Sequence, residues 1–335
     1  MQTYTHDTFP VRRVPVLLAV GALVLATLAS VSGLVVADLY RDTAEYVRQA
    51  KAADLVTLFL AVPALSVGLW KIRTGSDIAR VLTIGTLAYL AYSYAIYAFS
   101  VVINPMTPVH IAILGLATWA ALLMVASLQD ETLATVEGVS LPRRTSGGFL
   151  VIVALLFMVF WSAQIAGVIT SGTLLASISD LDLPTNPVYA LDLAFALPLM
   201  AIAGMWLLRR DRRGAAAALA ALGFTVLMGA SVLTIFVVDA AAGVAMELPP
   251  MVIFGAVTGI AAGLLATALR GSRAAAGRPA LLGASGQSPR AGGRGLRGRS
   301  RGLSDGSVPE EPGRSGADVR AGALTARGEG GDRGY

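Results

Sequence analysis

The residues best able to do chemistry in this chain are a few acids, hydroxyls and one histidine at the edges of long apolar runs. Asp54, Asp192, Asp239 and Glu247 stand there, with Asn104 and His110 near them. An ionisable group in a bilayer costs about 2.5–3.5 kcal/mol even on the lenient insertion scales, so each needs a reason. Acids with a histidine suit cation binding or proton transfer. The same acids also serve as helix caps, where a carboxylate accepts free N–H groups and meets the positive end of the helix dipole. Asp54 and Asp192 fit either reading, cap or charged site.

A second pattern lies in the segment around residue 90. Thr86, Tyr89, Ser93, Tyr97 and Ser100 recur at helical spacing and span an arc of about 80° at 100° per residue. Tyr92 lies at the edge of that stripe and Tyr94 points elsewhere. Such hydroxyls face protein or water rather than lipid tails. They either line a pathway or hold helices together. Gln164 is buried in an apolar run and needs a partner, for which Tyr or Ser of this stripe is a candidate. Pro63 and Pro198 each interrupt an apolar run, which kinks a helix and frees backbone carbonyls.

Other chemistries are excluded by residue type. The chain has no cysteine, so no thiolate metal site or thiol–disulfide mechanism is available. Its two histidines are His6 and His110, too few within the apolar body for a bis-histidine haem. The two lysines, Lys51 and Lys71, leave no Schiff-base lysine inside a membrane. No G-x-S-x-G, H-E-x-x-H or phosphate-loop motif occurs. No metal and no cofactor is expected, and the enzyme reading is thin.

The elements that position these residues follow from hydropathy. Hydrophobic residues make up 55% of the chain and charged ones 14%, against roughly 45–50% and 25% in soluble proteins. Mean hydropathy is +0.69. Uncharged runs long enough to cross the bilayer as helices, which takes roughly 20 residues, fall at about 14–36, 54–71, 79–103, 107–127, 148–170, 188–208, 214–238 and 248–269. The expectation is an all-α, polytopic transmembrane bundle of about eight helices. The first run is too long for a signal-peptide core and reads as an uncleaved span. Residues 37–54 look helical and either lie at the interface or extend the second span. Residues 171–187 read as a loop.

Lysine and arginine counts set an expected orientation. The connections after odd-numbered spans hold Arg41, Arg48 and Lys51; the N-terminus and the other connections hold eleven basic residues, Arg12 to Arg213. The basic side belongs in the cytoplasm. Both termini are then cytoplasmic in a multi-pass protein of the cell membrane. The halves share a pattern of Asp, Phe, Pro, Gly, Trp and Arg, running from Asp54 to Arg73 and again from Asp192 to Arg209. This suggests a four-plus-four duplication, with Asp54 equivalent to Asp192 and the two halves in parallel orientation.

The division is a membrane domain, 1–270, and a cytoplasmic tail, 271–335. The tail holds 17 glycines and eleven arginines and cannot bury a core, so disorder is expected. The lipid bilayer is the expected partner, with contact between the tail and anionic lipid as one option. GGRGLRGRSRG (292–302) is similar to RGG-type segments but lacks interleaved aromatics, so no nucleic acid is expected. The oligomeric state is not set by the sequence.

DLVTLFLAVP (54–63), YLAYSYAIYAF (89–99) and NPM (104–106) together resemble a family of uncharacterised polytopic membrane proteins of bacteria and archaea. The resemblance covers roughly 14–270 and rests on Asp54, Tyr89, Tyr92, Tyr94, Tyr97, Asn104, Pro105, Asp192 and Pro198. Relatives often carry Gln before the opening Asp, where Ala53 stands here. It implies the fold and no activity. The residues favour a small-solute or ion permease, or a proton-coupled membrane protein. A membrane-embedded enzyme or sensor with an outer acidic pocket, or a scaffold, are the alternatives. Candidate ligand or proton-pathway residues are Asp54, Tyr89, Ser93, Tyr97, Asn104, His110, Gln164 and Asp192.

Overall fold

A computed structural model describes residues 13–245 and 248–277. The described residues are helical, without strands, and eight helices are long and apolar enough to cross a membrane. They run Arg13–Val35, Ala44–Arg73, Asp77–Ser100, Thr107–Ala126, Arg143–Ser171, Pro187–Leu208, Gly214–Ala241 and Leu248–Arg270, and are called here the first to eighth spans. Their outward side chains are apolar, among them Leu17, Val24, Phe59, Ile152, Leu199 and Val252. A helix satisfies its own backbone hydrogen bonds, so such a surface suits lipid. His6, Glu247 and the tail from 278 onward lie outside the described residues.

Small residues set the packing. The first span buries Ala19, Ala22, Ala26, Ala29, Ser30 and Gly33, spaced three and four apart on one face. That face packs along the fourth span, where Ile113, Ala117 and Ala120 are buried, and against the second. The fifth and sixth spans meet at Gly147 and Gly204, where a Cβ on either would press on the other's carbonyl. Close approach through small residues is a common way for membrane helices to associate. One core cluster draws mainly on spans one to four and another mainly on spans five to eight, with Leu227 of the seventh span in the first and Val81 of the third in the second. The two meet where the third span crosses the seventh, with Gly85 against the backbone of Ala220.

Of the two readings of residues 37–54, extension of the second span holds from Ala44. The span begins there, not near 54, with Thr43 accepting the Tyr46 N–H as its cap. The charged stretch 44–53 therefore extends the helix. The fifth span likewise begins earlier, at Arg143, and the last helix continues to Gly277. The 172–186 connection carries one short helical turn, Ala176–Ser179.

Two interruptions matter for the site. Thr57–Ala61 in the second span and Asp192–Ala196 in the sixth are π-helical turns. Each ends two residues before a proline, Pro63 or Pro198. A proline clashes with, and cannot bond to, the carbonyl four residues back; a widened turn accommodates that defect. Both the first residues of the turns and the prolines recur at an interval of 135 residues.

The ends of the bundle are tied. On the face carrying the 172–186 connection, Arg48 pairs with Asp239 at 2.6 Å and the Val102 N–H donates to Asp42 at 2.9 Å. On the opposite face Thr132 donates to Asp77 at 2.9 Å, and Arg212 pairs with Asp130 at 3.3 Å.

Candidate functional site

The polar residues inside the bundle form two centres. The first lines a cavity of about 440 Å³ between the two halves. It extends from Leu181, Leu183 and Val101, near the 172–186 connection, to Val153, Met200 and Phe224 around the middle of their spans. Asp192, first residue of the sixth span's π turn, stands on its wall. The Tyr92 hydroxyl donates to one carboxylate oxygen at 2.9 Å and the Trp161 indole N–H to the other at 2.7 Å. Each oxygen keeps further accepting capacity. No Lys, Arg, His or second acid is among the lining residues.

Aromatic rings frame this carboxylate. Tyr92 packs edge-on against Phe224, and Phe157 lies near Trp161 and Phe254, with centroids 5.3–6.2 Å apart. Ser93 and Ser231 add hydroxyls to the wall. Ser231 also bonds Tyr89 at 2.8 Å, and Tyr89 reaches Thr57 at 3.3 Å. The buried Tyr89 thus joins the π turn of the second span to the cavity wall.

The second centre is enclosed in the first half. Asp54 is 1% exposed and accepts a hydrogen bond from the Tyr40 hydroxyl at 2.6 Å. Burial, then the Asp54 charge, pushes the Tyr40 phenol above its ordinary range, so Tyr40 stays protonated and donates. Gly33 leaves the room: a Cβ there would collide with the Asp54 carboxylate and the Tyr40 hydroxyl. Among the described residues no cation lies within 4 Å of Asp54. Tyr94 approaches Ser30 and the Ala26 carbonyl, each at 3.4 Å. Tyr97 donates to the Ala50 carbonyl at 2.7 Å and also lines the cavity. His110 is 1% exposed, with its ring 4.9 Å from that of Tyr97 and neither nitrogen hydrogen-bonded.

The acids, Asn104, His110 and Gln164 fall into separate arrangements. Neither Asp54 nor Asp192 caps a helix: Thr43 and Asn186 do so, with Asn186 accepting the Val188 N–H. Asp54 is deep in a continuous helix because that helix starts ten residues earlier than hydropathy implies. Asp239 is spent on Arg48. Asn104 organises its turn, accepting the Met106 N–H and donating to the Val102 carbonyl, and belongs to neither centre. Gln164 accepts from Tyr189 of the sixth span at 2.6 Å, not from the third-span stripe. Of that stripe, Tyr89, Ser93 and Tyr97 face protein as expected, while Thr86 bonds its own helix at Leu82.

Three residues of these centres escape a reading of the sequence. Trp161 precedes Gln164 by three and shares its helix face, which is a usable signal. Tyr92 reaches Asp192 from the edge of the stripe. Tyr40 lies in a connection, where a tyrosine reads as interfacial. Among the described residues no cluster of His, Asp and Glu is arranged to hold a metal. No protein family, curated protein or solved structure matches the chain.

Proposed function

We propose that this chain is a proton-coupled permease of the cell membrane for a small solute, with the inter-half cavity as the solute site. The observation that carries the reading is the cavity itself. A chamber of about 440 Å³ lies within the roughly 300–1,000 Å³ usual for small-molecule sites. It reaches mid-bundle and has a single carboxylate on its wall, Asp192, and no basic residue. A scaffold has no use for such a space. An embedded hydrolase would place a nucleophile and base together, and no histidine lines the cavity.

The π turns support the same reading. π turns often mark functional sites in helices, and helix breaks in matching positions of two halves point to solute sites in transporters. The common interval of 135 residues favours a four-plus-four duplication with a revised register. Aligned on the prolines, Asp192 matches Thr57, and Asp54 matches Tyr189. The two acids are then not equivalents. One half turns a carboxylate toward the cavity; the other holds a separate, enclosed carboxyl at Asp54, which we assign to proton storage. The basic-residue count puts the 172–186 face outside and both termini in the cytoplasm. The likeness to the uncharacterised prokaryotic membrane family belongs to this proposal and adds no activity to it.

The absence of cysteine makes access testable with a single substitution. Ser93→Cys places one thiol on the cavity wall. In right-side-out and everted vesicles, a membrane-impermeant maleimide should label it from both sides, because a permease exposes its site alternately. Labelling confined to one side in every condition would contradict permease action.

A further inference from the structure

We infer that the cavity binds a hydrophobic organic monocation, held by charge at Asp192 and by the surrounding ring faces, in exchange for a proton. This deepens the permease reading and rests on it for transport, but the binding claim stands on the site's own chemistry.

Charge decides the class. Asp192 is the one carboxylate among the lining residues, no basic residue lines the cavity, and among the described residues Asp192 has no cationic partner. The groups around it are neutral: the Tyr92 hydroxyl from the third span, the Trp161 N–H from the fifth, and the Gln164–Tyr189 pair near by. The second span contributes Tyr46 and Gln49 to the wall; the seventh contributes Thr225 and Ser231, and the eighth only apolar groups. A carboxylate in low dielectric with no counter-ion is stabilised by one positive charge, either a proton or a cation. An anionic solute would meet repulsion with nothing to offset it.

The walls decide the rest. An inorganic cation needs about six oxygen ligands, and here one carboxylate shares the cavity wall with Phe157, Phe224, Phe254 and Trp161. Those faces suit a cation whose charge is wrapped in carbon, through area burial and cation–π attraction. Tyr92 and Trp161 hold the carboxylate in place, so it need not reorganise on binding. When the cation enters, the proton leaves the carboxyl for water on the side that is open; the site's net charge is the same before and after. One positive charge is exchanged for another.

The test uses full-length protein in detergent and two probes of one shape and opposite charge, tetraphenylphosphonium and tetraphenylborate. Equilibrium dialysis against protein-free micelles reads saturable binding. Tetraphenylphosphonium should bind at pH 8 with one site per chain and lose affinity by tenfold or more as pH falls to 5. Tetraphenylborate should show no saturable binding. Asp192→Asn should weaken the cation at least tenfold and abolish the pH dependence, whereas Asp130→Asn, exposed on the opposite face, should change nothing. The wild-type arms need no variant, so a misfolded Asp192→Asn leaves the test intact. Equal binding of both probes, pH-independent cation binding, or no saturable binding of either overturns the inference. Saturable cation binding with one-sided labelling of Ser93→Cys would keep the site and remove transport. Two-sided labelling without cation binding would keep the permease and remove this solute class.

Discussion

A carboxylate buried in an apolar bundle has to find donors, and the two acids of this chain do so differently. Asp54 takes the hydroxyl of Tyr40, fourteen residues earlier, in the tight space left by Gly33. Leaving a buried polar group without its partner costs about 1–3 kcal/mol. Tyr40→Phe, which keeps the ring and removes the donor, should lower thermal stability in detergent by that order. Unchanged stability would mean that Asp54 draws its hydrogen bonds from elsewhere. Asp192 keeps two donors and remains open to the cavity. The sequence singled out both acids as residues needing a reason. It could not separate them, because an acid at the edge of an apolar run looks the same whether the helix starts there or ten residues before. Tyr40 was out of reach for a related reason: a hydrogen bond from a connection into a helix leaves no mark in local spacing, whereas Trp161 is marked only by sharing a helix face with Gln164.

The spans themselves were the most legible elements, since bilayer thickness and hydropathy fix them almost independently of packing. What hydropathy misses is any helix that continues through polar residues, as at 44–53, which carries Glu45, Arg48 and Lys51. The π turns are a partial case. Pro63 and Pro198 announced a break, but its form and its register emerge only when the backbone is in place, and that register moves Asp192 opposite Thr57. Packing of the elements gives its own prediction. At the crossing of the third and seventh spans, a Cβ on Gly85 would collide with the Ala220 carbonyl, and a backbone cannot step aside. Gly85→Ala should cost about 1–3 kcal/mol through overpacking, although alanine is the better helix former. Gly115→Ala, where a Cβ meets open space, should be neutral or slightly stabilising by the same thermal measurement. Equal effects at the two glycines would mean the spans do not cross there.

At the scale of the whole molecule, two helical cores meet along the third and seventh spans and leave one chamber between them. On the proposed permease action the halves would have to shift at this shared seam. The cavity at that seam is where such a shift would expose a solute to one side or the other. On the proposed exchange, solute and proton exclude each other at Asp192, and this makes coupling measurable without a membrane. In weakly buffered detergent solution, saturating full-length protein with tetraphenylphosphonium should release protons, up to one per bound cation, with the release falling as pH rises. The release should be absent in Asp192→Asn and retained in Asp130→Asn. Saturable cation binding with no proton release at any pH between 5 and 8 would contradict the exchange at Asp192 on which this account of the molecule depends.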